Sequence, residues 1–205
     1  MSHETTALNH RALRLAQFTI AYNVAEAAVM IGVGLSAGLV SVVGFGVDSG
    51  IESASAVILL LQLRIRLSHG HRHEESERRS LRGIAVCFFL LAIYVIVQGI
   101  LDLVEGETPD TSPLGVGVLI ASLIIMPILA WRKTKVGREL QDNLILADAA
   151  QTRICMLMSA ATLVALIVFS ITGWAWIDPV AGFIIAIFAF CEGKEAWEGE
   201  LIDGD

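Results

Sequence analysis

Residues 83–104 read GIAVCFFLLAIYVIVQGILDLV, and the first charged side chain in that run is Asp102. A hydrocarbon core about 30 Å thick takes about 20 helical residues to cross. A water-soluble core cannot accommodate so long an uncharged run, and lipid cannot satisfy the open backbone donors and acceptors of other structures, so the stretch reads as a transmembrane helix. Five further segments on either side have the same character, at about 15–35, 38–63, 114–131, 144–171 and 174–191. The fold class this predicts is all-α: a polytopic membrane protein of six transmembrane helices, one domain over residues 1–205. The connections at Ser36–Ala37 and Thr172–Gly173 are very short, so helices one and two, and five and six, are expected to form tight hairpins.

Composition agrees. Hydrophobic residues make up 55% of the 205 and charged residues only 17%, with a mean hydropathy of +0.70, whereas a soluble domain carries about 25% charged residues. The net charge of −7 argues against a nucleic-acid binder, whose footprint is a basic patch. Cys87, Cys155 and Cys191 lie inside apolar runs without CxxC spacing, so no disulfide framework is expected. The polar stretch Met1–Arg14 lacks the short apolar core and cleavage site of a signal peptide. Neither the residues after the last span nor the longest polar loop, Ser68–Ser80, is long enough for a soluble domain.

Thirteen of the fourteen Lys and Arg residues fall on one side of this arrangement. They are Arg11 and Arg14 before span one, six arginines between spans two and three, four basic residues from Arg132 to Arg138, and Lys194 after span six. The positive-inside rule then places both termini in the cytoplasm, and the expected location is a bacterial inner membrane.

Within the spans, ionisable groups cost about 2.5–3.5 kcal/mol each on insertion scales, so each needs a reason. Span two holds Asp48 and Glu52, four residues apart on one helix face. Span five holds Asp148, Gln151, Thr152 and Cys155, whose offsets of three, four and seven make one stripe. Glu52 and Cys155 each lie eleven residues from the basic end of their spans, about 16 Å deep, so the two stripes can face each other near mid-membrane. Two carboxylates and a thiolate supply up to three negative charges, which a divalent cation largely neutralises. A sulfur donor among oxygens favours Zn2+ or a neighbouring transition metal over Ca2+ or Mg2+.

Blander readings stand beside these. Asp48 and Glu52 could be protonated packing residues, although the functional reading is favoured; Cys155 taken alone reads better as a small core residue. Glu26 and Asn23, three apart in span one, are secondary ligands, proton carriers or polar glue between helices. Asp178 precedes Pro179 and reads as a helix N-cap. Asp102 sits near the outer end of its span, where water reaches it. Arg153 either snorkels to the interface or pairs with Asp148 or Glu52. His69, His71 and His73 read as a solvated loop in preference to a metal-collecting tract.

These residues make the chain resemble the transmembrane domain of the cation diffusion facilitators, proton-coupled exporters of Zn2+ and related divalent metals. The resemblance runs through all six spans and rests on Asp48-x-x-x-Glu52, on Ala147-Asp148-Ala149, and on Asp178-Pro179-Val180-Ala181-Gly182 opening span six. It implies a four-ligand site built from an acidic pair in span two and a His-x-x-x-Asp in span five. Asp48 and Glu52 fall on the acidic pair, and Gln151 and Cys155 on the His and Asp positions. The family's cytoplasmic metal-binding domain has no counterpart, so the chain looks like the small transmembrane-only branch. Because Gln is a weak metal ligand, Asp148 is a further candidate ligand.

The expected function is divalent transition-metal export, with Zn2+ foremost and Co2+, Fe2+, Mn2+ or Cd2+ as other cargoes. Asp48 and Glu52 are expected to exchange the metal for protons. Partners would be divalent cations, protons and the lipid bilayer, with a homodimer implied by the resemblance and no nucleic acid. The alternative is a membrane metal-binding sensor or partner protein without transport of its own. An enzyme is not expected, because no nucleophile–base pair is visible.

Overall fold

The computed structural model describes residues 3–37, 40–69, 74–105, 113–174 and 176–199. Six helices account for nearly all of them: α1 His3–Ala37, α2 Val40–His69, α3 Glu74–Glu105, α4 Pro113–Leu140, α5 Asn143–Thr172 and α6 Ile177–Glu198. Five of the six are long and apolar enough to cross a membrane by themselves. The sixth, α6, lies along α3 and α5. Its outward side chains Val180, Ile184, Ile187, Phe188 and Phe190 remain exposed, as a lipid-facing surface requires. The molecule is an all-helical integral membrane protein.

The helices run well past the apolar segments at the basic end of the bundle. There α2 continues to His69, α3 starts at Glu74 and α4 ends only at Leu140. Much of the expected polar loop around Ser68–Ser80 is therefore helical. Glu74, Glu75 and Glu77 in the first turn of α3 favour this by meeting the positive end of the helix dipole. The Ser76 hydroxyl also ties the extension to α2 by donating to Gln62 Oε1 at 2.9 Å. The imidazoles of His69, His71 and His73 lie outside the described residues. Asp178 does not cap α6: the helix begins at Ile177 with Trp176 in the cap position, so Asp178 sits inside the first turn. Pro179 is tolerated there because the first N–H groups of a helix have no intrahelical partner. Asp102, half-buried, accepts from Gln98 Nε2 at 2.7 Å.

Helix α5 organises the bundle, packing against α2, α3, α4 and α6. Most of its first half is buried. Ala147, Ala149 and Ala150 are fully buried, and their small side chains let neighbouring helices approach closely. Its second half turns Val164, Ile167 and Ile171 outward. Asp142 starts the helix by accepting from the N–H groups of Leu144 and Ile145. The chain reverses into this cap through Gln141, the one described non-glycine residue at positive φ (46°). Gly173, at φ 75°, ends the helix. Among the α1–α2 contacts, a Cβ on Gly46 would meet Ile31 Cγ1 at 2.6 Å, so only glycine allows this approach.

The ion-pair hub of the basic end is Arg66, which is buried although it reads as a loop residue. Its guanidinium pairs with Asp142, with Glu77 of α3 at 2.7 Å, and with Asn9 Oδ1 of α1 at 3.3 Å. One side chain of α2 thus joins α1, α3 and the cap of α5. Removing one partner of such a buried pair costs about 3–5 kcal/mol, because the other charge is left unpaired. Arg66→Gln is therefore expected to lower the thermal unfolding temperature in detergent sharply. Arg79→Gln, which breaks an exposed pair with Glu75, should leave it almost unchanged. Equal melting temperatures for the two variants would remove Arg66 from this role.

Candidate functional site

The stripes of α2 and α5 do face each other. On α2 the buried positions include Phe45, Asp48, Ser49, Glu52, Ser53, Ala56, Leu59 and Leu63, a face with helical spacing that carries both carboxylates inward. The direct link to α5 is a hydrogen bond from Thr152 Oγ1 to Glu52 Oε1 at 2.7 Å. Asp48, Glu52, Asp148, Gln151, Thr152 and Cys155 are all at most 1% exposed. The Cys155 thiol adjoins both Asp48 and Glu52.

Several of these groups lack the partners that burial demands. Both oxygens of Asp48, Oε2 of Glu52, Oε1 of Gln151 and both amide atoms of Asn23 have no hydrogen-bond partner. Native interiors hold few such atoms, and each calls for an explanation such as a bound ion or water. Those named here come from three helices, α1, α2 and α5. Among the described residues no three His, Cys, Asp or Glu side chains are gathered closely enough to hold a metal ion. The donors are neighbours in this arrangement without converging on one point.

Asp148 is differently placed from Asp48. Its carboxylate pairs with the ammonium of Lys133 at 2.7 Å, with both side chains buried. Lys133 also donates to Thr152 Oγ1 at 2.9 Å. An ammonium can only donate, so the hydroxyl accepts from Lys133 and gives its one proton to Glu52 Oε1 at 2.7 Å, the nearer of two acceptors, with the Asp148 carbonyl at 3.2 Å. The result is a chain with a fixed direction, from Lys133 through Thr152 to Glu52, crossing from α4 through α5 to α2. Sequence reading places Lys133 in a polar connection and misses this role. Its signal is periodicity: Ser122, Met126, Leu129, Lys133 and Val136 are buried at spacings of three and four, so the inward face of α4 continues past the apolar segment. Arg153 is not the counter-ion of Asp148 or Glu52. It is half-exposed and lies 3.6 Å from Glu192 of α6.

Glu26 forms a separate polar centre between α1, α2 and α4. Ser49 Oγ donates to its Oε2 at 2.8 Å, and Ser122 Oγ and Tyr22 OH donate to its Oε1. The buried stripe of α1 runs Asn9, Ala12, Ala16, Thr19, Asn23, Glu26, Met30, again at spacings of three and four. Glu26 is thus a hydrogen-bonded carboxyl group, whereas Asn23, one turn nearer the basic end, carries an unpartnered amide.

Ionisable side chains held inside a membrane bundle mark substrate and ion pathways, and fold and site together point to the membrane transporters of ions. The chain matches the cation efflux transmembrane domain over residues 16–197. It belongs to that family. It is also similar to a protein of Synechocystis sp. described as an uncharacterized transporter, with 25% identity over 92 residues. That match covers 45% of this chain and 30% of the relative, so it spans less than a third of the relative's length.

The ion pair across α4 and α5 can be tested by a double-mutant cycle. Lys133→Met leaves the Asp148 carboxylate buried and unpaired, and is expected to cost about 3–5 kcal/mol of stability. Adding Asp148→Asn should recover most of that loss, as read from thermal unfolding of the four proteins in one detergent. Strictly additive losses would show that the two side chains do not act as a pair.

Proposed function

We propose that the protein moves a divalent transition metal across the membrane, foremost Zn2+, and exports it from the cytoplasm in exchange for protons. The observation that carries this reading is Asp48: a fully buried carboxylate at membrane depth, beside Glu52 and Cys155, with neither oxygen partnered. A divalent cation supplies the missing partner and neutralises the pair. Asp48, Glu52 and Cys155 are the proposed ligands, with the amide oxygen of Gln151 as the fourth donor. Thiolate among oxygen donors selects Zn2+ or a similar metal over Ca2+ and Mg2+. Asp148, engaged by Lys133, serves the site through the hydrogen bonds of Thr152, and Asn23 and Glu26 line its α1 side. In this reading the donors close on the ion as it binds.

Proton coupling follows from the donor chemistry. A carboxylate or thiolate binds either a proton or a metal with the same lone pairs, so acidification on the exit side displaces the cargo. The charge asymmetry of the loops supports an orientation with the basic end of the bundle and both termini in the cytoplasm. A homodimer in a bacterial inner membrane completes the reading.

Purified protein in proteoliposomes is expected to carry Zn2+ along an imposed pH gradient. Asp48→Asn should reduce that flux to the level of protein-free vesicles while leaving the helical circular dichroism unchanged. A mutant that transports at the wild-type rate overturns the site. Saturable Zn2+ binding without flux in the wild type would favour a sensor or partner protein over a transporter.

A further inference from the structure

Between α1 and α4, toward the basic end, lies a cavity of about 650 Å3, a size within the range of pockets that hold ligands. Its lining changes character along the helix axes. Toward the middle of the membrane it is apolar, with Phe18 from α1 and Ile125, Ile128 and Leu129 from α4. Toward the basic end it is cationic, with Arg11 and Arg14 from α1 and Arg132 and Lys135 from α4. Each helix switches within one turn, at Arg14–Leu15 on α1 and around Trp131 on α4. Glu139 is the one acidic residue of the lining, so four bases less one acid leave a formal charge of +3. The four basic side chains are exposed. Trp131 is 64% exposed, with the Lys135 ammonium 5.9 Å from its ring centre, which suits a tryptophan at a membrane–water interface.

The order of these features along the membrane normal selects the occupant. A free anion would fill the cationic half and leave the apolar half bare. A second copy of this chain across a two-fold axis would set the same patch against itself, bringing +3 against +3 at one depth. A phospholipid with a net negative headgroup matches both halves in the right order. Basic pockets between transmembrane helices on the cytoplasmic side are known to take such headgroups. We infer that the α1–α4 cavity binds an anionic phospholipid, its headgroup phosphate held by Arg11, Arg14, Arg132 and Lys135 and an acyl chain lying along Phe18, Ile125 and Ile128. This site is separate from the carboxylates between α2 and α5 and stands whatever the cargo proves to be.

Native mass spectrometry of the delipidated full chain in detergent, with phosphatidylglycerol or phosphatidylcholine added, tests it. The wild type is expected to retain one phosphatidylglycerol in preference to phosphatidylcholine. Replacing Arg11, Arg14, Arg132 and Lys135 together by Gln should weaken that preference by at least about tenfold, since each basic residue near an anionic lipid contributes severalfold. Replacing Arg64, Arg78, Arg79 and Lys194 by Gln removes the same charge from other exposed positions and should leave the preference intact. Equal loss in both variants means diffuse attraction to the basic end and overturns the site, as does full retention in the first. If inorganic phosphate raises the melting temperature of the wild type as much as phosphatidylglycerol does, the occupant is a free anion and the lipid assignment fails. A lipid-free dimer in the wild type that the first variant abolishes assigns the cavity to a second copy instead. Should the fourfold variant not fold, Arg14→Gln with Arg132→Gln under the same readout decides.

Discussion

A charge placed in hydrocarbon has to be balanced where it stands, and the middle of this bundle holds more carboxyl groups than cations. Glu26, Asp48, Glu52 and Asp148 are buried there, while Lys133 is the buried base beside them. Lys133 answers Asp148 directly and Glu52 through one hydroxyl. Three hydroxyl groups surround Glu26. Asp48 is left without a partner, and Glu52 Oε2 and the neutral amide atoms of Asn23 and Gln151 also lack hydrogen bonds. An apolar side chain in place of Asp48 would make a more stable membrane bundle, because an unsatisfied buried polar group costs about 1–3 kcal/mol and more when charged. The proposed cation would answer the charge left at Asp48.

The rest of the fold serves to hold that imbalance in place. Small residues on α5 bring α2 and α4 close enough for a lysine, a threonine and a glutamate to meet in sequence. The turn at Gln141 and the cap at Asp142 fix where α5 begins relative to α4. Arg66 fastens that same cap to α2 and α3, so the depth of the α5 stripe relative to the α2 stripe is set at the basic end. In a helix pair that must keep side chains in register over about 16 Å, an anchor at one end determines the match in the middle. Cap, ion pair and carboxylates form a single mechanical unit, although they occupy different depths.

Much of this was legible in the chain itself. Long apolar runs forced helices, because lipid offers no other way to satisfy the backbone. Counting residues from the basic ends was enough to bring Glu52 and the α5 stripe to one level, and the Thr152–Glu52 hydrogen bond is the contact that this depth matching anticipates. What stayed hidden shares one cause. Lys133 and Arg66 carry charge, and charge is read as the end of a span, yet both continue the inward periodicity of their helices. Arg153, open in the sequence between snorkelling outward and pairing with Asp148 or Glu52, is decided by the helical turn. It stands one residue after Thr152 inside an apolar stretch, but the helical turn carries it outward to Glu192. Hydropathy finds where a helix enters lipid, and only the three-to-four spacing of buried positions finds which charges turn inward. Asp178 shows a smaller limit: a carboxylate before proline has the composition of a cap, but the backbone starts the helix two residues earlier, with Trp176 as the cap.

Helix α4 joins the two halves of this picture. Within five residues it turns Lys133 inward to Asp148 and Thr152 while Trp131, Arg132 and Lys135 look outward over the α1–α4 cavity. An α-helix is stiff over so short a distance, so a rotation or slide of α4 that moves one face moves the other. Pro127 lies just below, where its missing N–H removes a bond of the helix ladder and makes this the place for α4 to bend. A lipid held by the outer face would favour one setting of α4, and with it one placement of Lys133 against the carboxylates.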